Sequence, residues 1–221
     1  IFKGLLYLGT NQGLFYKKAF TQEPFKFVNG TSGQVWCLFQ YDNDLLCGHH
    51  EGTFVITDNK AVLVSNVPGT WGFKPIPNAE NMLLEGNYNG LNVLVREQGS
   101  WKVKNKIKGF DSSARYFEII NTNEVLVSHG YKGLFRLKID ENFTEVKNVF
   151  IDSRVPVDKN SSLIQYKNQI LYALHHQSLH QKTSIHLSFQ PIFYHGGLQP
   201  YSLLQDKVHI PDSSSFRYTY F

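Results

Sequence analysis

Residues 45–54 read LLCGHHEGTF, and residues 125–135 read VLVSHGYKGLF. In each, an apolar run enters a short polar turn that closes on a glycine, and a second apolar run leaves it. Residues 5–15 (LLYLGTNQGLF) and 82–93 (MLLEGNYNGLNV) follow the same order. The closing glycines, Gly13, Gly52, Gly90 and Gly133, stand 39, 38 and 43 residues apart. A tight antiparallel hairpin needs positive φ where the chain re-enters its second strand, and glycine supplies it without steric cost. Another glycine precedes the closing one by four residues in three copies, at Gly9, Gly48 and Gly86. In the fourth copy that place is His129, and the glycine has moved to Gly130.

Working outward from these turns, short β-rich runs separated by turn residues predict strands. The second copy gives Val35–Tyr41, Asp44–His49, Thr53–Thr57 and Ala61–Ser65. The third gives Trp71–Ile76, Met82–Gly86, Leu91–Arg96 and Trp101–Lys106. The fourth gives Arg115–Ile120, Val125–Ser128, Leu134–Ile139 and Val146–Ile151. A fifth opens with Leu163–Tyr166 and Ile170–Leu174, and the first lacks its opening strand. Four antiparallel strands repeated about every 40 residues are the signature of a β-propeller blade. Helical repeats would need a 3.6-residue period, which the chain does not offer. The expected fold is therefore all-β, with propeller blades over residues 1–174 as part of a larger propeller. Residues 175–221 read as a degenerate blade or a transition to a following β domain.

A lone four-stranded sheet cannot bury both faces, but sheets packed on one another can. The chain has the filler for this, including Phe15, Trp36, Phe39, Phe54, Phe73, Phe117 and Phe135. Of 221 residues, 14% are aromatic and 18% charged, which excludes intrinsic disorder. No apolar run is long enough for a membrane-spanning helix. The single Met is internal and no leader stands at the front, so the sequence reads as a segment or a processed product.

The net charge of +4 is too small and too scattered for a nucleic-acid footprint. The one dense basic stretch, Lys102, Lys104, Lys106 and Lys108, alternates with Val103 and Ile107 and reads as the solvated side of an outer strand, or alternatively as a polyanion-binding stripe. Cys37 and Cys47 flank the turn Tyr41–Asp44. A two-residue loop there sets Cys37 opposite Gly48 and Cys47 opposite Leu38, which predicts free thiols. Residues 175–221 hold six of the nine histidines, at 175, 176, 180, 186, 195 and 209. Their spacing matches no zinc motif, so no metal site is expected.

No nucleophile elbow, zinc-protease helix, phosphate loop, dinucleotide motif or CxxC is present, and no cofactor is expected. Asp42, Asp44 and Asp58 fall in turns, where Asp supports local backbone. Two sets of residues suit ligand binding. His49, His50, Tyr88 and Tyr131 sit at hairpin tips on one propeller face. Gln34 and Trp36, Thr70 and Trp71, and Arg115 and Tyr116 stand where the innermost strands begin, at the mouth of the central channel. Aromatic rings with an arginine there would suit a sugar or an acidic small molecule; alternatively both tryptophans fill space between blades.

The units YLGTNQGLFYKK and VSHGYKGLFRLKID resemble two-component regulator propeller repeats, whose core reads roughly W-I-G-T-x-x-G-L. The chain departs from that pattern at its tryptophan, with Leu6, Leu46, Leu83 and Leu126 near that place. The resemblance implies an extracytoplasmic sensor on a membrane-anchored bacterial regulator. In that family a triple-tyrosine immunoglobulin-like domain follows, to whose start the closing SFRYTYF is similar, then a membrane span and a kinase or helix-turn-helix output. It further implies an oligosaccharide or other small-molecule ligand, and signalling or transcription control by the full-length protein, which could act as a homodimer. Two other readings stand beside it. One is a secreted propeller enzyme of the polysaccharide lyase or lactonase type, using His49, His50, Tyr88 and Arg115. The other is a protein-interaction scaffold.

Overall fold

The computed structural model describes residues 1–153, 155, 157, 161–166, 169–175 and 187–192. His176, His180, His186, His195, His209 and the closing SFRYTYF lie outside the described residues. Within them the chain forms five antiparallel sheets in sequence order. β1 (Leu5–Thr10), β2 (Gly13–Lys18) and β3 (Lys26–Phe27) make the first. β4 (Val35–Tyr41), β5 (Asp44–His49), β6 (Gly52–Thr57) and β7 (Lys60–Ser65) make the second. The third is β8 (Gly72–Pro75), β9 (Met82–Asn87), β10 (Gly90–Glu97) and β11 (Ser100–Lys106). The fourth is β12 (Tyr116–Asn121), β13 (Glu124–His129), β14 (Gly133–Ile139) and β15 (Val146–Ile151). The fifth is β16 (Ser161–Tyr166), β17 (Gln169–His175) and β18 (Leu187–Ile192). The first sheet starts at the strand equivalent to β5, as the repeat predicts.

Alternation along each strand sends successive side chains to opposite faces, so every inner sheet contributes to two cores. On β5, Leu45 and Cys47 pack toward the first sheet while Leu46 packs toward the third. On β9, Leu83 faces the second sheet and Leu84 the fourth. On β13, Val125 and Val127 face the third sheet and Leu126 the fifth. Four apolar clusters thus fill four interfaces between neighbouring sheets, and each fully buried leucine contributes roughly 1.5–3 kcal/mol. Phe54, Phe73, Phe117 and Phe135 are buried in these clusters, whereas Phe15, Trp36 and Phe39 are half-buried.

The turns are tighter than the five-residue spacing suggests. Strand pairing continues to His49–Gly52, leaving a two-residue tip. Gly52 re-enters at φ +146°, and a Cβ there would strike the carbonyl oxygen of Ser65. The fourth tip has three residues between His129 and Gly133, so Ser128 and not His129 takes the place of Gly9, Gly48 and Gly86. That earlier glycine has a steric reason. A Cβ on Gly9 would meet the Val35 side chain, on Gly48 the backbone of Thr70, and on Gly86 the Ala114 carbonyl and the Phe117 ring. Each sheet touches the next at this point. In the fourth sheet Ser128 Oγ instead shares a 2.7 Å hydrogen bond with Ser161 Oγ of the fifth.

β4 and β5 pair as Tyr41↔Asp44, Leu38↔Cys47 and Cys37↔Gly48, and both cysteines are free. Lys102, Lys104, Lys106 and Lys108 are all exposed along outer strand β11 and just beyond it, with Ile107 fully buried on the opposite side. At the end of the sheets that carries the Asp42–Asn43 turn, polar groups staple the second sheet to the third. Trp101 Nε1 donates to Asp44 Oδ2 at 2.8 Å, and Arg96 Nε lies 3.2 Å from the same oxygen. Lys74 reaches Glu118 of the fourth sheet at 2.6 Å.

Candidate functional site

Val35 pairs with His49, Gly72 with Gly86, and Tyr116 with Ser128. The innermost strands therefore begin at the same end where the second hairpins turn. The two sets of candidate residues, separate in the sequence, share one rim.

In the first, second and fourth sheets the residue that ends the strand before the tip caps the turn. Thr10 Oγ1 accepts the backbone N–H groups of Gln12 and Gly13, each at 3.1 Å. His49 Nδ1 accepts from Glu51 N–H at 3.1 Å, and His129 Nδ1 from Tyr131 and Lys132 at 3.2 and 3.3 Å. His49 is fully buried, its ring edge-on to Phe54 at 5.4 Å. Burial lowers its pKa, which keeps the ring neutral, as an accepting nitrogen requires. His49 is thus a structural cap behind the rim, not part of its exposed surface, and this removes it from the set that could meet a ligand. Tyr131 is exposed, with its ring 6.4 Å from its own His129.

The other candidates converge. The indoles of Trp36 and Trp71, from the second and third sheets, lie 4.6 Å apart. Tyr88, at the tip of the third sheet, stands edge-on to Trp71 at 5.1 Å and accepts a 3.1 Å hydrogen bond from Trp36 Nε1. His50 Nδ1 lies 3.5 Å from the same hydroxyl. The Tyr88 ring occupies the space beside Gly69 that any side chain there would fill. Gly69 N–H in turn donates to the His50 carbonyl at 2.8 Å, and His50 N–H donates to the Gln34 carbonyl at 2.9 Å. Gln34 therefore holds the tip through its backbone. Trp71 Nε1 donates to Ser113 Oγ at 3.1 Å, beside the fourth sheet. The Arg115 guanidinium sits 4.8 Å from the Trp71 ring centroid and 5.2 Å from that of Tyr116. Trp36, Trp71, Tyr88 and Tyr116 are half-buried, while His50 and Arg115 are exposed. Among the described residues Arg115 makes no ion pair, so its planar donor fork is available to a carboxylate. The tryptophans thus bridge neighbouring blades and also present part of their surface.

Directly behind this rim lies a group that the site reading from sequence did not include. Glu85, Thr53, Thr70, Asn87 and Asn92 are all buried. Glu85 Oε1 accepts from Thr70 Oγ1 at 2.6 Å and is also bonded to Thr53 Oγ1. Asn87 Nδ2 donates to Thr70 Oγ1 at 3.1 Å, and Asn92 Nδ2 donates to Asn87 Oδ1 at 2.5 Å. Burial raises the pKa of Glu85, with the Thr53 and Thr70 hydrogen bonds and the nearby Asn87 side chain acting in the opposite direction.

The sequence matches no model of a known protein family, and no curated protein is similar to it. Solved structures do match. The chain superposes on the WD40 propeller domain of Doa1 with a TM-score of 0.56 at 15% identity, covering 78% of this chain and 60% of that one. The extracellular domain of the putative one component system BT4673 from B. thetaiotaomicron matches with a TM-score of 0.55 at 15% identity, covering 78% and 24%. The computationally designed Ika8 protein gives 0.54 at 16%, covering 79% and 54%. The chain thus spans less than two thirds of the length of each. The fold is a β-propeller.

Proposed function

We propose that this chain is a ligand-sensing propeller segment of an extracytoplasmic signalling protein, and that the rim formed by Trp36, Trp71, Tyr88, His50 and Arg115 takes a glycan fragment. One observation carries the reading: two indoles from neighbouring sheets, a tyrosine and an arginine without a carboxylate partner among the described residues converge at one end of the sheets. Half-exposed aromatic faces stack on the apolar face of a sugar ring, and the guanidinium pairs with an acidic substituent. The likeness to an extracellular domain of a bacterial regulator supports this placement through fold alone, as does the resemblance of the turn repeat. Output to a kinase or a DNA-binding domain, and dimerisation, would belong to the full-length protein.

Two of the three tryptophans line the rim, and the third, Trp101, is buried at the far end of the sheets. Indole emission therefore reports occupancy. Titration with neutral and uronic-acid oligosaccharides is expected to change the emission and raise the melting temperature by mass action. Trp71→Ala and Arg115→Ala should abolish both responses while the chain stays folded. Full affinity in both variants refutes this site.

A further inference from the structure

Aligned by register, the sheets share a cross-strand pair behind the rim. It is Leu8↔Phe15 in the first, Cys47↔Phe54 in the second and Val127↔Phe135 in the fourth. In the third it is Glu85↔Asn92. The residue that meets Glu85 from the second sheet is Thr53, where the first, third and fourth sheets have Leu14, Leu91 and Leu134. The first and fourth sheets are thus built without polarity at these places, and the polar residues gather on both sides of a single interface.

Proton counting bears on the state of this cluster. Thr53 Oγ1, Thr70 Oγ1 and Glu85 Oε1 form a triangle of three contacts, including Thr53 to Thr70 at 2.9 Å and Thr70 to Glu85 at 2.6 Å. Two threonine hydroxyls supply two hydrogens. An ionised Glu85 leaves one contact without a hydrogen. A protonated Glu85 closes the ring: it donates to Thr53, Thr53 donates to Thr70, and Thr70 donates back. Thr70 keeps a lone pair for Asn87 Nδ2. Glu85 Oε2 is buried and has no hydrogen-bond partner, and among the described residues no Lys or Arg pairs with Glu85. A bare carbonyl oxygen tolerates that far better than a carboxylate oxygen does.

We propose that Glu85 is carried as a neutral acid and acts as a positioning residue for the rim, so that its ionisation displaces Trp71 and Tyr88. The path is short: Thr70 precedes Trp71 in the chain, and Asn87 precedes Tyr88. The consequence for ligand affinity rests on the rim being a binding site; the consequence for the rings does not. The other ionisable groups around the cluster are few. Cys37 on β4 has its thiol pushed up to about 12 by burial and stays uncharged. His49 on β5 is neutral, and its neighbours His50 and Glu51 are exposed at the tip. Lys74 on β8 is engaged with Glu118, and Arg96 on β10 with Asp42 and Asp44. Arg115 lies across the Trp71 ring.

A carboxyl whose native pKa lies above its unfolded value loses stability as pH rises between the two, so the folding constant should fall about tenfold per pH unit across that window. Urea unfolding of the wild-type chain, Glu85→Gln and His50→Gln between pH 5 and 9 tests this. The fall is expected in wild type and His50→Gln and should be removed in Glu85→Gln, which should be the more stable protein at high pH. Indole emission of the folded, ligand-free chain should follow the same titration in the first two and stay flat in Glu85→Gln. Infrared spectra of wild type at pH 7 should show a buried protonated carboxyl band, so the proposal can be judged even if Glu85→Gln does not fold. Absence of that band, or a pH slope unchanged by Glu85→Gln, overturns it. If no oligosaccharide binds wild type, the rim reading fails while these measurements still decide the role of Glu85.

Discussion

Replacing Gly86 with alanine adds one methyl group at the place where the third sheet touches the fourth. The Gly86 backbone is one that any residue can adopt, so the cost is steric alone. The new Cβ would overlap the Ala114 carbonyl oxygen and approach Phe117 Cδ1 to 2.8 Å. Movement of that segment is opposed by the bond from Ala114 N–H to the Asn87 carbonyl, at 3.0 Å on the same strand as Gly86. Phe117 is buried in the cluster that holds Leu84, Val125 and Phe135. Overpacking of this kind costs about 1–3 kcal/mol, and a rigid backbone obstacle puts Gly86→Ala near the top, at about 3 kcal/mol. For a chain of this length that is a fall in melting temperature of roughly 6–12 °C. Ser128→Ala is the internal reference, since Ser128 holds the equivalent place one sheet further on. It loses only the bond to Ser161, about 1 kcal/mol. Differential scanning fluorimetry on both variants decides the matter: if Gly86→Ala melts no lower than Ser128→Ala, the close approach is not what selects glycine here.

Lys74→Met leaves the buried Glu118 carboxylate without its 2.6 Å partner and should destabilise by about 1–3 kcal/mol, read by urea denaturation, with Lys74→Arg close to wild type. Trp101→Phe removes the donor to Asp44 and part of the packing against Tyr41, lowering stability by about 1–2 kcal/mol without altering rim emission. Cys47, fully buried and with its thiol pKa raised by burial, should react with a thiol reagent at neutral pH only as fast as the chain opens, so adding urea should accelerate its labelling steeply, while half-buried Cys37 should react sooner. Arg115→Ala, losing only exposed contacts to Trp71 and Tyr116, should change stability by less than about 1 kcal/mol in the same denaturation assay.

The fold was legible because each copy of the repeat states its own boundaries. The closing glycines fix where strands turn, the alternation on β5, β9 and β13 fixes which side chains face which neighbour, and the Asp42–Asn43 loop fixes the register that separates Cys37 from Cys47. The site was legible only in pieces. Trp36, Trp71 and Arg115 on one side, and His50 and Tyr88 on the other, stand far apart in the chain. Their meeting follows from strand direction, since a strand starts where the hairpin after it turns. His49 misleads because a histidine beside a glycine turn looks exposed, whereas its Nδ1 satisfies a backbone N–H and its ring is drawn against Phe54. The Glu85 cluster escaped for another reason. Taken alone, MLLEGN is a strand with one polar residue; set in register against LYLGT, LLCGH and VLVSH, Glu85 stands in a column of apolar residues, and Asn92 in a column of phenylalanines. The signal lay across the repeats rather than along any one of them.

Because the apolar clusters lie between sheets and are not merged into a single centre, cohesion in this molecule is pairwise and sequential. Mechanical tension between the chain termini would find no shared nucleus to rupture. It would peel one sheet from its neighbour at a time, and each detachment would release about 40 residues, or roughly 13–14 nm of slack. A sawtooth of nearly equal steps in a force spectrometer would be the mark of a body divided in this way.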